Sequence, residues 1–509
     1  MAQNEAALPT PTNPKDHYFE IDHLRKDLGT RAARGGAITM TSNGLKFAVT
    51  LLGTSVMARL LTPEHYGVLG MVAILTGFLS IFKDMGLSAA TIQKAEVTRD
   101  QISTLFWFNN AVCAALAAVT VAMAPAVAWF YRDSRLTAIT AVTAFGFILN
   151  GLAVQHDALL RRQMRFIAIS AISLLSIIAG YIVAILMAWK GFGYWALVFS
   201  QLAQLATGAI GVWVVCRWRP GLPKRNAGVK SMIKFGGNFT GFSLVSYFAR
   251  NFDNLLVGKV WGAQQLGVYS RAYQLMGLPI EQINEPITSV AVPALSRLTD
   301  SPERYRQAYL RLLEKIAMLT IPGVGLMIVT ADWIVRIMLG PNWAEVGRVF
   351  LVLGITGMFQ PIANTTGWLF LTQGRTKELF NYGLLHSPVI VASFIVGIHW
   401  GAFGVAVAYA TAKVCITDPF LYWYVGRSGP VRTIHFYQTM APFVVAALLG
   451  LGAALVTRNW VHFQRPLAGI VSCTFIMGIV YLGVLALIPK GRLALLDAVK
   501  ALLVALKRK

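Results

Sequence analysis

Apolar runs of about twenty residues recur along nearly the whole chain, and they restrict its fold more than any other feature. At a rise of about 1.5 Å per residue, a helix of that length crosses a hydrocarbon core of about 30 Å. Of the 509 residues, 56% are hydrophobic and only 13% are charged, so the apolar surface exceeds what one soluble core can bury. The sequence therefore predicts an all-α integral membrane protein.

The apolar runs predict fourteen transmembrane helices, whose limits follow the flanking charged residues and turn residues. The predicted helices cover residues 36–60, 66–87, 104–129, 136–157, 167–189, 193–216, 232–258, 264–295, 309–338, 344–371, 378–399, 402–426, 434–457 and 467–488.

Most of the 45 lysine and arginine residues fall in loops that this helix pattern places on one side of the membrane. Cytoplasmic loops of membrane proteins are enriched in these residues, so both termini are predicted in the cytoplasm. The same bias explains the net charge of +23 without nucleic acid as a partner. Tryptophans flank the opposite loops, as expected for an interfacial belt, at Trp129, Trp195, Trp261, Trp333, Trp343, Trp400 and Trp460.

Residues 58–68 resemble residues 258–268, two hundred positions later, and each copy closes one helix and opens the next. Six helices separate the copies, so we expect two six-helix lobes related by a parallel pseudo-twofold repeat. The predicted domains are a polar cytoplasmic tail (1–35), an N-terminal lobe (36–216), a basic linker (217–231), a C-terminal lobe (232–426), two additional helices (427–488) and a basic amphipathic tail (489–509).

Charged residues within the predicted helices are the candidate functional residues, because charge at bilayer depth is costly and usually faces a cavity or another charge. Helical spacing places Lys46 on a polar face of the first helix. Arg250 and Asp253 lie on the seventh helix, and Arg271 is predicted at a similar depth on the eighth. Asp253 would hold the two guanidinium groups beside a bound anion, or the three would form an ion pair that only joins the helices.

Four further residues are candidates for ion coupling or for a polar cavity wall. Glu281 and Glu285 lie four residues apart between two prolines, and Lys413 and Asp418 share the twelfth helix. A packed, hydrogen-bonded glutamate pair is an equally good interpretation of the first two. The sequence contains no Walker A loop, no GxSxG or HExxH motif and no metal-like cysteine or histidine spacing, so we predict no catalytic residue, metal or cofactor.

Several short stretches resemble the polysaccharide transport family, the Wzx-type flippases. These flippases belong to the multidrug/oligosaccharidyl-lipid/polysaccharide exporter superfamily, which also holds MATE exporters and the lipid II flippase. The resemblance covers roughly residues 30–490. The stretches that carry it are Gly35-Gly36, residues 58–67, residues 250–254 and residues 266–273.

The resemblance implies a carrier that moves undecaprenyl-diphosphate-linked oligosaccharide to the outer leaflet of a bacterial inner membrane by alternating access. It implies that Arg250 and Arg271 bind the diphosphate; the same role for Lys46 depends on helical geometry alone. A Na⁺ or H⁺ gradient is the implied coupling. The implied partners are membrane lipids, a polysaccharide polymerase and glycosyltransferases.

Three other functions remain open from the sequence. A cation-coupled MATE-like exporter of amphipathic small molecules would share the fold, although cationic helix faces disfavour cationic cargo. A membrane-embedded glycan polymerase or ligase is disfavoured by the short outer loops. A scaffold for biosynthetic enzymes would use the polar tail, residues 1–34.

Overall fold

In the computed structural model, the secondary structure of the described residues consists of helices joined by turns and short irregular segments, with no β-strand. Backbone is described for Phe19 and for residues 28–84, 86–94, 97–224, 230–461 and 463–507. Side chains are described in these ranges except at residues 28–37, 230–246, 249, 279–283, 285–286, 498 and 501–507. The side chains of Glu281 and Glu285, two of the predicted candidates, therefore lie outside the described residues.

The chain divides into two compact units, Met1–Asn251 and Phe252–Lys509. The division falls inside a helix, about twenty residues beyond the linker at 217–231 that the loop charges predict as the domain boundary. The lobes and additional helices of the sequence analysis stay a prediction.

Unit 1 is formed by eight described helices and the start of a ninth. They are α1 (Leu28–Leu60), α2 (Pro63–Ser80), α3 (Leu87–Gln93), α4 (Arg99–Tyr131), α5 (Arg135–Thr143), α6 (Phe145–Arg162), α7 (Phe166–Trp189), α8 (Trp195–Cys216) and the beginning of α9 (Lys230–Ser296).

Unit 2 holds the rest of α9 and nine further described helices. They are α10 (Pro302–Val329), α11 (Ala331–Met338), α12 (Ala344–Thr372), α13 (Thr376–Gly397), α14 (Gly401–Thr411), α15 (Asp418–Gly426), α16 (Thr433–Trp460), α17 (Pro466–Leu487) and α18 (Pro489–Lys507). A π-helical segment, Ala412–Thr417, joins α14 to α15.

Within the described residues, nine helices are long and apolar enough to cross a membrane, or ten if the bent pair Ile38–Leu60 and Pro63–Ser80 forms one span. The predicted all-α, multispanning membrane class is confirmed. The count of fourteen spans stays a prediction.

Both copies of the internal repeat contain a helix break. In the first copy, α1 ends at Leu60 and α2 begins at Pro63, whose missing N–H suits the first turn of a helix. The chain bends by 117° between the two helices. In the second copy, Gly262 adopts φ 78° and ψ −174°, which interrupts α9 and which a side chain would oppose. The two breaks explain why each predicted pair of helices is separated there.

Two kinds of contact join the helices of unit 1: a close approach at a glycine and hydrogen bonds from a buried arginine. Gly53 of α1 faces the ring of Tyr181 on α7, whose hydroxyl donates to the Thr50 carbonyl at 3.2 Å. Buried Arg162 ends α6 and donates to the carbonyls of Thr91 and Lys94 at 3.1 and 2.5 Å. These contacts hold α1 against α7 and the end of α6 against α3. The helices α1, α6 and α7 also border a polar cavity.

Candidate functional site

Unit 1 contains a cavity of about 640 Å³ between α1, α6, α7 and α8, here called the Lys46 cavity. Helical periodicity builds it, because residues three or four apart share one helix face. Its polar lining residues are Thr39, Asn43 and Lys46 of α1, Asn150, Asp157 and Arg161 of α6, Ser170, Ser173 and Ser176 of α7, and Gln204 of α8.

Three charged side chains line the Lys46 cavity. Arg161 Nε donates to Asp157 Oδ2 at 2.6 Å, a salt bridge between residues one helical turn apart. Lys46, half-buried on α1, faces the same space. Two cations and one carboxylate leave a formal charge of +1 among the lining residues, so an anion is favoured over a cation in this cavity.

The neutral lining residues supply hydrogen-bonding groups. Three serines of α7, at positions 170, 173 and 176, follow one face of that helix, and Ser176 Oγ also donates to the Ile172 carbonyl at 2.7 Å. Asn43 and Gln204 add amide groups that both donate and accept. Hydroxyl and amide groups around a net positive charge are the groups that bind phosphate oxygens and sugar hydroxyls.

An apolar groove of about 540 Å³ lies beside the Lys46 cavity on α6, α7 and α8. The two share Leu149, and the groove is otherwise lined by Phe145, Val183, Met187, Phe199, Leu202, Ala203 and Ala206. Unit 1 therefore offers a charged, polar space and an apolar surface side by side, which suits an amphipathic ligand.

The predicted group of Arg250, Asp253 and Arg271 is distributed over the two units. Arg250 is exposed near the end of unit 1, whereas Arg271 is half-buried in unit 2 and its guanidinium donates to Gln274 Oε1. Asp253 is 2% exposed and accepts from the Tyr269 hydroxyl at 2.9 Å and from the Asn254 backbone at 2.8 Å. Its predicted role in orienting the arginines stays a prediction.

Three tyrosine rings of unit 2 follow one another from Asp253. Tyr269 lies 6.2 Å from Tyr273 between ring centroids, and Tyr273 lies 6.5 Å from Tyr409. Phenol groups beside a carboxylate in an apolar interior form a polar path between helices α9 and α14.

Lys413 and Asp418 form a buried ion pair in unit 2. The Lys413 ammonium lies 2.5 Å from Asp418 Oδ1, and the two residues are 8% and 3% exposed. The pair occupies the π-helical segment and its junction with α15, and π-helical turns occur often at functional sites. Each of these two predicted site residues is therefore the counter-ion of the other.

The sequence singles out Lys46 but not the four polar residues of α6 and α8 that line the cavity with it: Asn150, Asp157, Arg161 and Gln204. Asp157 and Arg161 carry a signal in the sequence, because opposite charges four apart on a helix indicate a salt bridge. Among the described residues, no group of three or more histidine, cysteine, aspartate or glutamate side chains forms a metal site.

Apolar spanning helices and a cavity lined by charged and hydroxyl-bearing side chains define the class: a polytopic membrane protein with a polar cavity among its helices. Residues 56–348, more than half of the chain, match the family described as "Polysaccharide biosynthesis protein". The chain belongs to this family, and the resemblance predicted from its short motifs is confirmed.

Curated relatives carry related descriptions. The teichuronic acid biosynthesis protein TuaB of Bacillus subtilis (strain 168) is 27% identical, with 76% of this chain and 81% of TuaB covered. The lipopolysaccharide biosynthesis protein WzxC of Escherichia coli (strain K12) is 23% identical, with 72% and 75% covered. The succinoglycan biosynthesis transport protein ExoT of Rhizobium meliloti (strain 1021) is 22% identical, with 90% and 92% covered.

Two solved structures show the fold. The lipid II flippase MurJ in its inward closed conformation superposes with a TM-score of 0.70 at 13% identity, covering 88% of this chain and 98% of MurJ. An inward-facing MATE family transporter of the MOP superfamily gives a TM-score of 0.59 at 15% identity, covering 74% and 93%. The chain therefore shares the fold of these two structures.

Proposed function

We propose that the protein is a flippase that carries a lipid-linked oligosaccharide across a bacterial inner membrane for the synthesis of a cell-surface polysaccharide. The substrate would be an undecaprenyl-diphosphate-linked repeat unit moving from the cytoplasmic to the outer leaflet by alternating access. On this proposal the protein is a transporter and not an enzyme.

The observation that carries the proposal is the Lys46 cavity beside an apolar groove. Lys46 and Arg161 offer positive charge to a diphosphate, the serines and amides accept sugar hydroxyls, and the groove suits a prenyl chain. A soluble sugar phosphate would leave the groove unused. A cationic drug, the cargo of a MATE-like exporter, would meet a net positive lining.

The comparisons support the same class of cargo. The relatives' descriptions concern teichuronic acid, lipopolysaccharide and succinoglycan, and the superposed MurJ flips lipid II. All three polymers are glycans of the bacterial surface.

Arg250 and Arg271 stay proposed diphosphate-binding residues. Both carry permanent charge on the long helix α9, and a guanidinium binds phosphate oxygens in a bidentate manner. Lys46 and Arg161 would receive the diphosphate in unit 1. Arg250 and Arg271 would bind it at another stage of transport.

The driving force follows from the charge of the cargo. Outward movement of negative charge is favoured by an inside-negative potential by about 2.3 kcal/mol per charge per 100 mV. Resetting of the empty carrier would use a Na⁺ or H⁺ gradient. The buried carboxyl groups of Asp253 and Asp418 are the described acids suited to that coupling.

The proposal also includes the orientation of the protein in the membrane and the enzymes that act before and after it. Both termini lie in the cytoplasm, as the loop charges predict. The carrier would receive its substrate from glycosyltransferases at the inner face and deliver it to a polymerase at the outer face.

A transport assay in proteoliposomes tests the proposal. A fluorescent undecaprenyl-diphosphate oligosaccharide is reconstituted with the wild type, with Lys46→Gln or with Arg161→Gln, under an imposed inside-negative potential. We expect the initial rate of translocation to fall at least tenfold in either variant, because each removes one of the two cations of the cavity.

The matched control is Lys190→Gln, which removes an exposed lysine from the turn after α7. Its rate should equal that of the wild type. Wild-type protein that is folded but moves no lipid-linked glycan, while exporting amphipathic cations, would replace the flippase proposal with the exporter.

A further inference from the structure

The C-terminal helix α18 begins immediately beyond a spanning helix. A single residue, Ile488, with extended backbone, separates Leu487 at the end of α17 from Pro489 at the start of α18. Because α17 is a membrane span, α18 starts at the membrane surface. This position makes α18 a helix of the lipid headgroup region.

The two faces of α18 differ in their surroundings. Ala494 is buried and belongs to the apolar core of unit 2. Leu493, Leu496 and Val499 are 62%, 49% and 52% exposed on the other face. Exposed apolar side chains beside basic ones, as at Arg492 and Lys500, are typical of helices that lie in the membrane interface. Lipid is therefore the environment of this helix.

A pocket of about 270 Å³ lies between α18 and α10. Four of its lining residues are charged: Arg311, Glu314 and Lys315 of α10 and Asp497 of α18. The formal charge of these four residues is zero. Met318 and Ala494 complete the lining, so the pocket also has an apolar edge.

The four charges line one small space without pairing. Within the described part of the chain, no salt bridge of 4.0 Å or less joins any two of them. Side chains of opposite sign around a shared space can be satisfied by one ligand that carries both signs. A purely anionic ligand would meet two carboxylates, and a purely cationic ligand would meet two cations.

Phospholipids with an ethanolamine headgroup carry this pair of charges. The phosphate would accept from Arg311 and Lys315, and the primary ammonium would donate to Glu314 and Asp497. A choline headgroup has the same charges but no N–H to donate. A glycerol headgroup lacks the cation altogether.

We propose that this pocket is a binding site for a phospholipid of the phosphatidylethanolamine class, with the headgroup between α10 and α18 and the acyl chains beside the apolar face of α18. The site is independent of the transported glycan. It would tie the C-terminal helix to the membrane surface.

Native mass spectrometry of the purified full chain in detergent tests the proposal. Phosphatidylethanolamine, phosphatidylcholine and phosphatidylglycerol of identical acyl chains are titrated separately. We expect phosphatidylethanolamine to bind at least about tenfold more tightly than the other two lipids. The double variants Glu314→Gln with Asp497→Asn and Arg311→Gln with Lys315→Gln should each abolish this preference.

The matched control is Arg492→Gln with Lys500→Gln, which removes two exposed charges of the same helix and should keep the preference. Unfolding midpoints in detergent establish that each variant is folded; variants that unfold are replaced by the single substitutions Asp497→Asn and Lys315→Gln. Equal binding of phosphatidylglycerol, an equal loss in the control, or equally tight binding of chain-free glycerophosphoethanolamine would overturn the proposal.

Discussion

Lys413 Nζ lies 2.5 Å from Asp418 Oδ1, although the two residues are five positions apart. A regular α-helix turns about 100° per residue, so residues five apart would point about 140° away from each other. The π-helical segment Ala412–Thr417 has more residues per turn and brings the two side chains to the same side. The local backbone and the ion pair therefore depend on each other.

Removing one member of this pair is expected to destabilise the protein strongly. Lys413→Met or Asp418→Asn alone should lower the free energy of unfolding by about 3–5 kcal/mol, because the partner is left buried without its counter-ion or its full charge complement. The double variant Lys413→Met with Asp418→Leu should recover most of the loss. Denaturant unfolding in detergent measures all three, and Lys377→Met, at an exposed lysine, is the control. Single variants as stable as this control would refute the assignment.

Two glycines of α1 should respond in opposite ways to alanine. A Cβ on Gly53 would lie 2.5 Å from the Tyr181 ring, so Gly53→Ala should cost about 1–3 kcal/mol and displace that ring. Gly44 has no atom within 4 Å of an added Cβ. Gly44→Ala should therefore keep or raise the unfolding midpoint, since alanine favours a helix by up to about 1 kcal/mol over glycine. Equal midpoints for the two variants would contradict the packing.

Arg162 is expected to hold the end of α3 in place. Its guanidinium is buried and donates to carbonyls at Thr91 and Lys94, so Arg162→Met should leave those acceptors unsatisfied and cost about 3 kcal/mol. Hydrogen exchange should become faster in residues 87–94 specifically. Arg165→Met, at an exposed arginine that donates to Val215, should leave this exchange unchanged. Unchanged exchange in the Arg162 variant would be the contrary result.

Asp133, in the turn between α4 and α5, makes stability depend on acid pH. The hydrogen bonds from the Arg135 guanidinium lower the pKa of this carboxyl below its usual value of 3.8. The stabilisation is therefore complete above about pH 4, the unfolded value, and is lost as pH falls through the lower folded pKa.

The unfolding midpoint of Asp133→Asn should accordingly lie below that of the wild type at pH 6, with the gap closing below pH 4. Thermal unfolding of both proteins between pH 6 and pH 3 measures it. Asp300→Asn, on an exposed turn, provides the comparison. A gap that persists unchanged at pH 3 would contradict the ion pair.

Two tryptophans show how far the sequence predicts the environment of a side chain. Trp129 is 81% exposed, as an interfacial anchor should be. Trp343 flanks a predicted outer loop in the same way, yet it is completely buried, because it ends the short turn Pro341–Trp343 and packs into unit 2. Apolar length predicts a span, but the direction of a turn residue depends on tertiary packing.

The candidate site follows the same rule. The spacing of polar residues on α1 predicts the polar face of Lys46, since helical period alone decides which residues share a face. Asp157 and Arg161 line the same cavity as Lys46 only because α1 and α6 both pack against α7, which one sequence does not specify. The Lys413–Asp418 pair required a π-helical turn, which has no reliable signal in composition or spacing.

Phe19 is buried in a cluster with residues from α3, α4, α6 and α8, and its carbonyl accepts from Arg162. The same cluster includes Val212 and Trp218, about two hundred positions later in the chain. During synthesis from the N-terminus, the ribosome must therefore complete α8 before the binding place of Phe19 exists. Docking of this residue against α8 therefore follows the synthesis of the first eight helices.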